Sequence, residues 1–319
     1  MRRALLALVL VLAACSADPA TAPAAKPEYT NPVYSGDAPD PQAIRVGDTW
    51  YLVHTNTEGR NVPVLTSPDL RHWTAAGDAL PELPKWADPG KTWAPEIIEL
   101  APDRFVLYVT VADRASGRQC IATAVAARPG GPYSATAPGP LVCQADEGGS
   151  IDASPFKDQD SRGYLLWKND GNAIGRDTWL WSQPLSPDGL TLTGDPVRLI
   201  RQTEPWEGHV VEAPFLWRHG PSLLLFYAAN AYDTADYAEG YATCDTPLGP
   251  CRKPPGNPLL ATHGQASGPG HAAMVESNGK TWLLYHAWVP GSEGSTSPGR
   301  RLWLDEVTWN GDTPQVHGP

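Results

Sequence analysis

Five short motifs marked by proline or glycine hold the residues of this sequence whose types and spacing could do chemistry. Four of the motifs carry a carboxylate, of which Asp40, Asp152 and Glu212 are the main candidates and Glu96 is a further one, and the last motif carries His271. Carboxyl groups and imidazoles are the usual general acids and bases of enzymes. The motifs are A-P-D-P (38–41), W-A-P-E-I (93–97), I-D-A-S-P-F (151–156), V-E-A-P-F (211–215) and G-P-G-H (268–271).

Five aromatic and apolar segments of similar character follow these motifs. Their first residues are 55, 59, 59 and 59 positions apart, which indicates one supersecondary unit repeated five times. A blade of four short strands needs a period of this order, so the spacing predicts an all-β, five-bladed β-propeller. The segments are W-Y-L-V-H (50–54), F-V-L-Y-V (105–109), Y-L-L-W (164–167), L-L-L-F-Y (223–227) and W-L-L-Y-H (282–286).

Each motif lies about ten residues before its segment, where the innermost strand of a blade would begin or run. Innermost strands line the central channel, so we expect Asp40, Asp152, Glu212 and His271 to converge on the axis. An acidic residue beside a proline can also be a simple turn former. Three carboxylates in equivalent positions of three blades favour the functional interpretation.

The composition supports this fold class. With 34 prolines and 30 glycines in 319 residues, long helices are disfavoured, and no sustained helical periodicity occurs after the N-terminus. The formal charge of −11 and the absence of a Lys/Arg-rich run argue against nucleic acid as a partner. We also expect a closing strand near residues 29–35 that completes a last blade ending near Trp309, and a monomer.

The N-terminus has the features of an exported lipoprotein. A basic start precedes an apolar run too short to span a bilayer, and small residues then precede Cys15. We predict a signal peptide over 1–15 with Cys15 lipidated, an Ala/Pro-rich tether over 16–29 and the propeller over 30–319. The protein would then be secreted and lipid-anchored to the outer face of the bacterial cell membrane. Ordinary cleavage that discards Cys15 is the alternative.

Four further cysteines belong to the predicted propeller. An exported protein meets an oxidising compartment, so disulfides are expected. Four cysteines allow three pairings, of which we predict the one local in sequence. A zinc site is disfavoured because the sequence lacks C-x-x-C and H-x-x-x-H. The predicted bonds are Cys120–Cys143 and Cys244–Cys251.

From about Asn31 onward, the five motifs in this order and spacing resemble those of glycoside hydrolase family 43. This family of five-bladed propellers includes α-L-arabinofuranosidases, arabinanases and β-xylosidases. The resemblance implies an inverting hydrolase with Asp40 as general base and Glu212 as general acid. It implies that Asp152 tunes the pKa of the acid and orients it. Asp37, three residues before Asp40, is the rival base.

Inverting hydrolysis uses one carboxylate to activate water and one carboxylic acid to protonate the leaving oxygen. The resemblance implies a pentose-containing oligo- or polysaccharide of plant arabinan or arabinoxylan type as substrate, with release of L-arabinofuranose or D-xylose. No cofactor is required. Arabinose and xylose specificity, and exo or endo action, are not readable from the motifs, although the second-half motifs lean toward arabinose.

Three further residues are candidates for substrate contact: Trp93, His271 and Arg300. Trp93 could stack on a sugar, although most of the 13 tryptophans are expected in blade cores. In arabinan-cleaving relatives an equivalent of His271 helps hold a hydrated calcium on the propeller axis, so a structural calcium is one interpretation, and a hydrogen bond at the pocket floor is the other. Arg300 resembles a substrate-contacting arginine, and an exposed, solvated arginine is the alternative.

Other function classes fit the motifs less well. A carbohydrate-binding lipoprotein without catalysis would not need three carboxylates. A retaining fructosidase would need an N-D-P-N motif where A-P-D-P stands, and a serine hydrolase would need G-x-S-x-G, which is absent. A β-xylosidase remains a close alternative within the same family.

Overall fold

The computed structural model describes residues 29–317. The predicted signal peptide with Cys15, and the tether up to residue 28, lie outside the described residues. Within residues 29–317, no helix is long and apolar enough to cross a membrane.

Five four-stranded antiparallel sheets form a ring, which confirms the five-bladed propeller. Each sheet takes four consecutive strands in chain order, so each blade is a meander. The strands are β1 (Gln42–Val46), β2 (Thr49–Val53), β3 (Pro63–Ser67), β4 (Thr74–Asp78), β5 (Ala87–Ala101), β6 (Arg104–Asp113), β7 (Gln119–Ala126), β8 (Ser134–Ala135), β9 (Ser150–Lys157), β10 (Gly163–Asn169), β11 (Trp179–Leu185), β12 (Val197–Arg201), β13 (Val211–His219), β14 (Ser222–Ala229), β15 (Ala238–Cys244), β16 (Cys251–Arg252), β17 (Ser267–Ser277), β18 (Lys280–Trp288), β19 (Arg301–Asn310) and β20 (Thr313–His317).

The five repeated apolar segments form the second strand of each blade: β2, β6, β10, β14 and β18. A second strand has a neighbour on both edges and packs against the adjacent blades on both faces. Residues such as Leu107, Leu165 and Leu225 are therefore fully buried. Near-continuous burial explains why these strands are apolar throughout instead of alternating with polar residues.

Hydrophobic cores lie between neighbouring blades. Val53 of blade 1 packs in one cluster with Leu107 of blade 2, and Leu166 of blade 3 packs with Leu225 of blade 4. Similar clusters join blades 2 and 3, blades 4 and 5, and blades 5 and 1. The core is thus divided into five wedges around the axis.

The innermost strands β1, β5, β9, β13 and β17 contact one another in this order, and β17 returns to β1. This ring places the starts of all five strands around one axis. The five motifs lie at or in these strands, as the sequence predicts.

The N-terminal segment closes the ring on the last blade. The Val33 backbone donates to the Leu302 carbonyl at 2.9 Å, and Tyr34 forms an isolated antiparallel bridge with Leu302. The contact is a single bridge instead of the predicted closing strand. The last blade also runs beyond Trp309, because β20 follows it.

Two disulfides join Cys120 to Cys143 and Cys244 to Cys251, which is the predicted pairing. The first ties β7 to the segment that leads into β9. The second joins β15 to β16 at a directly opposed pair of residues.

Candidate active site

A pocket of about 320 Å³ lies where the innermost strands begin. Side chains from all five blades reach it, and the predicted site residues are among them. A larger groove of about 840 Å³ between blades 1 and 2 is lined mainly by prolines and small residues, and it contains none of the motif carboxylates. The pocket is lined by Asp40, Thr55, Trp93, Ile151, Asp152, Lys168, Asp170, Asn172, Ala173, Glu212, Tyr232, His271 and Arg300.

One residue other than glycine in each motif has a left-handed backbone with φ between 43° and 57°. Such a conformation is uncommon for residues other than glycine and is maintained only where the surroundings enforce it. Pairing between the first two strands shifts register near this residue in blades 2 to 5. The left-handed residues are Asp40, Ala94, Asp152, Ala213 and His271.

The left-handed residues give the blades a common alignment. Asp40 and Asp152 occupy the same position in blades 1 and 3. Glu212 lies one residue earlier, since Ala213 is the left-handed residue of blade 4. The expectation of three equivalent carboxylates is therefore correct for two of them, and a longer glutamate from the preceding position supplies the third.

Asp40 is surrounded by donors. The Arg300 guanidinium donates to Oδ1 at 2.8 Å, the Thr55 hydroxyl donates to Oδ2, and His271 Nδ1 lies 3.3 Å from Oδ1. Burial alone would raise the pKa of Asp40, but the charges of Arg300 and His271 outweigh it and hold the pKa well below its usual range. Asp40 is therefore ionised at neutral pH.

The pKa of Asp152 is shifted in the opposite direction from that of Asp40. Its Oδ2 accepts the Ala213 N–H at 3.0 Å. Burial raises its pKa to about 6, and the negative charge of Glu212 raises it while His271 and Lys168 lower it. Asp152 thus fixes the backbone next to Glu212 and places a carboxyl that titrates near neutrality beside it.

Both oxygens of the Glu212 carboxyl are held. Lys168 Nζ donates to Oε2 at 2.9 Å, and the Tyr237 hydroxyl donates to Oε1 at 2.7 Å. The Lys168 side chain is only 1% exposed, and its second carboxylate neighbour is Asp170 at 3.7 Å. A buried lysine between two carboxylates holds Glu212 in a fixed orientation at the pocket wall.

His271 and His286 flank Asp40 from blade 5, each with Nδ1 at 3.3 Å from Oδ1. Burial lowers the pKa of His271, but Asp40 raises it to about 9, so this histidine is an imidazolium at neutral pH. Burial and the Arg300 charge hold the pKa of His286 well below its usual range. The Asp40 N–H donates to His286 Nδ1 at 3.1 Å, which fits a neutral ring.

Arg300 connects the carboxylate to an aromatic wall. Its side chain is 13% exposed, so the alternative of a solvated arginine is wrong. The guanidinium lies 5.1 Å from the centre of the Tyr232 ring and 5.8 Å from that of Trp288. Tyr232 is 49% exposed and, with the half-buried Trp93, gives the pocket two aromatic surfaces.

Asp37, the rival base, does not line the pocket. Its Oδ1 accepts the Arg300 backbone N–H at 2.7 Å, and burial raises its pKa. Glu96 also lies outside the lining, buried with its carboxylate accepting from Ser154 at 3.1 Å, and burial raises its pKa to about 8. Neither is placed to act on a molecule in the pocket.

The surroundings of His271 do not fit a calcium site built from protein oxygens. Calcium takes six to eight oxygen ligands, whereas the protein oxygen closest to His271 in a described contact is Oδ1 of Asp40, 3.3 Å from Nδ1. Within residues 29–317, the one group of three metal-ligand atoms that lie close together is Asp113 with Cys120 and Cys143, whose sulfurs form a disulfide. No step below uses a metal.

Sequence reasoning missed Lys168 and Tyr237. Lys168 lies directly after Trp167 in a strand of apolar character, and its signal is a lone lysine at the pocket end of a second strand. The strand register shows that Lys168 and His286 occupy equivalent positions. Lys168 stands opposite Ile151, and His286 stands opposite Gly270, and each of these partners directly precedes the left-handed residue of its blade. Tyr237 precedes β15 and carries no such signal.

Comparisons with known proteins agree with this architecture. The family model of glycosyl hydrolases family 43 matches residues 29–314. The crystal structure of a thermostable family-43 glycoside hydrolase has a TM-score of 0.82 and 31% identity, and the match covers 91% of this chain and 96% of that one.

Curated relatives are more distant in sequence. A xylosidase/arabinosidase of Butyrivibrio fibrisolvens is 27% identical over 90% of this chain and 56% of its own length. A probable arabinan endo-1,5-alpha-L-arabinosidase A of Aspergillus flavus is 26% identical over 87% of this chain and 90% of its own. The chain thus spans little more than half of the bacterial relative.

Proposed function

The chain belongs to glycosyl hydrolases family 43, and we propose that it is an inverting glycoside hydrolase that releases L-arabinofuranose or D-xylose from arabinan- or arabinoxylan-type oligosaccharides. One observation carries the proposal. Asp40 and Glu212 come from different blades, line one pocket and are held by separate sets of donors. Glycosidic hydrolysis uses a pair of carboxyl groups in one pocket.

Asp40 is the general base. It takes a proton from a water molecule as the water oxygen forms a bond to the anomeric carbon. Arg300 and His271 keep Asp40 ionised and ready to accept this proton. The orientation of the Asp40 carboxylate is fixed because one oxygen accepts a hydrogen bond from Arg300 and the other accepts one from Thr55.

Glu212 is the general acid. It gives a proton to the glycosidic oxygen while the bond from that oxygen to the anomeric carbon breaks, so the leaving sugar departs as a neutral alcohol. Lys168 and Tyr237 hold the carboxyl in place during this transfer. Asp152 fixes the adjacent Ala213 N–H and adds a titratable charge at the acid side.

The pocket supports a short sugar segment as substrate. Its volume of about 320 Å³ is near the lower end of ligand sites, and Trp93 and Tyr232 offer faces for the apolar side of a pentose ring. The relatives include a xylosidase/arabinosidase and a probable arabinan endo-1,5-alpha-L-arabinosidase, so their names cover both pentoses. The proposal therefore includes both sugars, and we favour arabinose on the sequence motifs.

The direct experiment compares the protein with its Glu212→Ala variant on aryl α-L-arabinofuranoside, aryl β-D-xyloside and linear arabino-oligosaccharides. We expect release of one pentose and a loss of about 10²–10⁴ in kcat for the variant on oligosaccharides. The loss should be smaller on an aryl glycoside with an acidic leaving group, since that group needs little protonation. Proton NMR of the first-formed anomer would test inversion.

Binding of these sugars without turnover, unchanged in the Glu212→Ala variant, would contradict the hydrolase and leave a carbohydrate-binding protein. Turnover of the aryl β-D-xyloside alone would identify the protein as a β-xylosidase. Retention of the anomeric configuration would contradict the roles given to Asp40 and Glu212.

A further inference from the structure

The five left-handed residues share a feature beyond their backbone angle. In four of them the N–H donates to a side chain of the preceding blade. Ala94 donates to Thr55 Oγ1 at 2.8 Å, and Asp152 donates to Thr110 Oγ1 at 3.2 Å. Ala213 donates to Asp152 Oδ2 at 3.0 Å, and Asp40 donates to His286 Nδ1 at 3.1 Å across the ring closure.

Three of these acceptors occupy one position of the blade. Thr110 and His286 stand opposite the residue before the left-handed one, on the second strand. The Thr55 N–H donates to the carbonyl of Pro39, which is the residue before the left-handed Asp40 in blade 1. In blade 3 this position is Lys168, which has no acceptor atom, and Asp152 of the same blade accepts instead.

Blade 4 has Ala228 at this position, opposite Glu212, and a methyl group accepts nothing. Glu239 of β15 stands directly across from Ala228. Its Oε2 accepts the N–H of Ala272, the residue directly after His271, at 3.3 Å, and the His271 backbone lowers the pKa of the carboxyl. Glu239 therefore supplies a side-chain acceptor for the backbone at the fifth left-handed position.

The surroundings of Glu239 set it apart from an ordinary structural carboxylate. The side chain is fully buried, and Oε1 has no hydrogen-bond partner among residues 29–317. Burial raises its pKa to about 8, and the protonated His271 is the largest influence that lowers it. Among residues 29–317, Glu239 forms no ion pair with a lysine or arginine. The principal described contact of its side chain is the backbone directly after His271.

We propose that Glu239 is a positioning residue for hydrolysis, which holds the left-handed backbone of His271 and through it the contact between His271 and Asp40. The inference rests on the proposed function, because Asp40 is the base of that reaction. Its chemical requirement is a hydrogen-bond acceptor at this point, and a negative charge is not needed.

The test uses the Glu239→Gln, Glu239→Ala and Glu239→Ala/Ala228→Ser variants of the protein. Glutamine keeps an acceptor oxygen, so its kcat should stay within about threefold of the parent. Alanine should lower kcat about tenfold with KM within about twofold, because small misplacements of catalytic groups reduce rate. In the double variant, a serine hydroxyl at the position of Thr55 and Thr110 should recover part of the lost kcat.

The double variant is feasible because a Cβ built on Gly270 would lie 3.2 Å from the Ala228 Cβ. Residue 228 is thus adjacent to the backbone that needs an acceptor. The inference would be overturned if Glu239→Ala kept the parent kcat, if Glu239→Gln were as impaired as alanine, or if melting temperature fell while kcat of the folded protein did not.

A readout without substrate separates this inference from the proposed function. The imidazolium N–H of His271 that faces Asp40 should give a downfield proton NMR signal near neutral pH. We expect the signal to persist in Glu239→Gln and to shift or broaden in Glu239→Ala. If the parent turned over no pentoside, the proposed function would fail, and an unchanged signal in Glu239→Ala would overturn the positioning role independently.

Discussion

Asp40 and Asp152 are the same residue type at the same position of two blades, yet they differ in protonation. Both have a left-handed backbone, and both are 8% exposed. The pKa of Asp40 lies well below its usual range, whereas that of Asp152 is raised to about 6. Burial acts in the same direction on both, so the neighbours decide the difference.

The neighbours of the two aspartates come from different blades. Asp40 faces the Arg300 guanidinium and His271, while Asp152 faces the Glu212 carboxylate as well as His271 and Lys168. The propeller thus gives equal burial to equivalent positions, and the charged side chains around each carboxyl assign its chemical role.

The largest effect is expected from Asp40→Asn, which keeps the shape of the side chain and removes its ability to take a proton. We expect kcat on an aryl pentoside to fall about 10³-fold. Asp37→Asn is the matched control, because Asp37 lies three residues away and outside the pocket. A loss in Asp37→Asn that exceeds the loss in Asp40→Asn would make Asp37 the base.

A smaller effect is expected from Asp152→Asn, which keeps an oxygen for the Ala213 N–H and removes the charge beside Glu212. We expect kcat to fall about 10²-fold through loss of the titratable carboxyl beside the acid. Steady-state assays across pH would measure it. A variant with full activity would exclude Asp152 from the reaction.

Asp152→Asn also has a signature in stability. A folded-state pKa of about 6 exceeds the unfolded value, so the folded state binds the proton more tightly. The stabilisation by this proton is present below about pH 4 and is lost as pH rises through 6, on the order of 3 kcal/mol. The unfolding free energy at pH 4 minus that at pH 7, both measured in urea, should therefore be smaller in the variant than in the parent.

The smallest effect on rate is expected from Arg300→Gln, measured at the pH optimum. Without the guanidinium the pKa of Asp40 rises toward that of an ordinary aspartate, so the acidic limb of kcat/KM should move upward by about one pH unit or more. Arg300→Lys keeps a charge and should move the limb less. An unmoved limb in Arg300→Gln would mean that another group sets it.

The sequence predicted the blades and the three carboxylates because both depend on a repeat that is visible in the chain. Strand spacing and the order of the motifs determine which residues converge on the axis. The contact of Glu212 with Lys168 was not predicted because it depends on how blades 3 and 4 pack, and the contact with Tyr237 was not predicted because it depends on the path of the connection before β15. The one-residue offset of Glu212 was also hidden, since the backbone angle of Ala213 has no signal in residue type.

Five positions of similar backbone geometry lie around one axis, so the residue types at these positions can differ while the fold stays the same. Asp40, Asp152 and His271 use three of these positions for polar groups, while Ala94 and Ala213 carry only a methyl group. Aspartate and asparagine tolerate a left-handed backbone better than alanine does. Ala94 is buried but belongs to none of the wedge-shaped cores between blades, so an aspartate at residue 94 would test whether the backbone position alone accepts a new polar group.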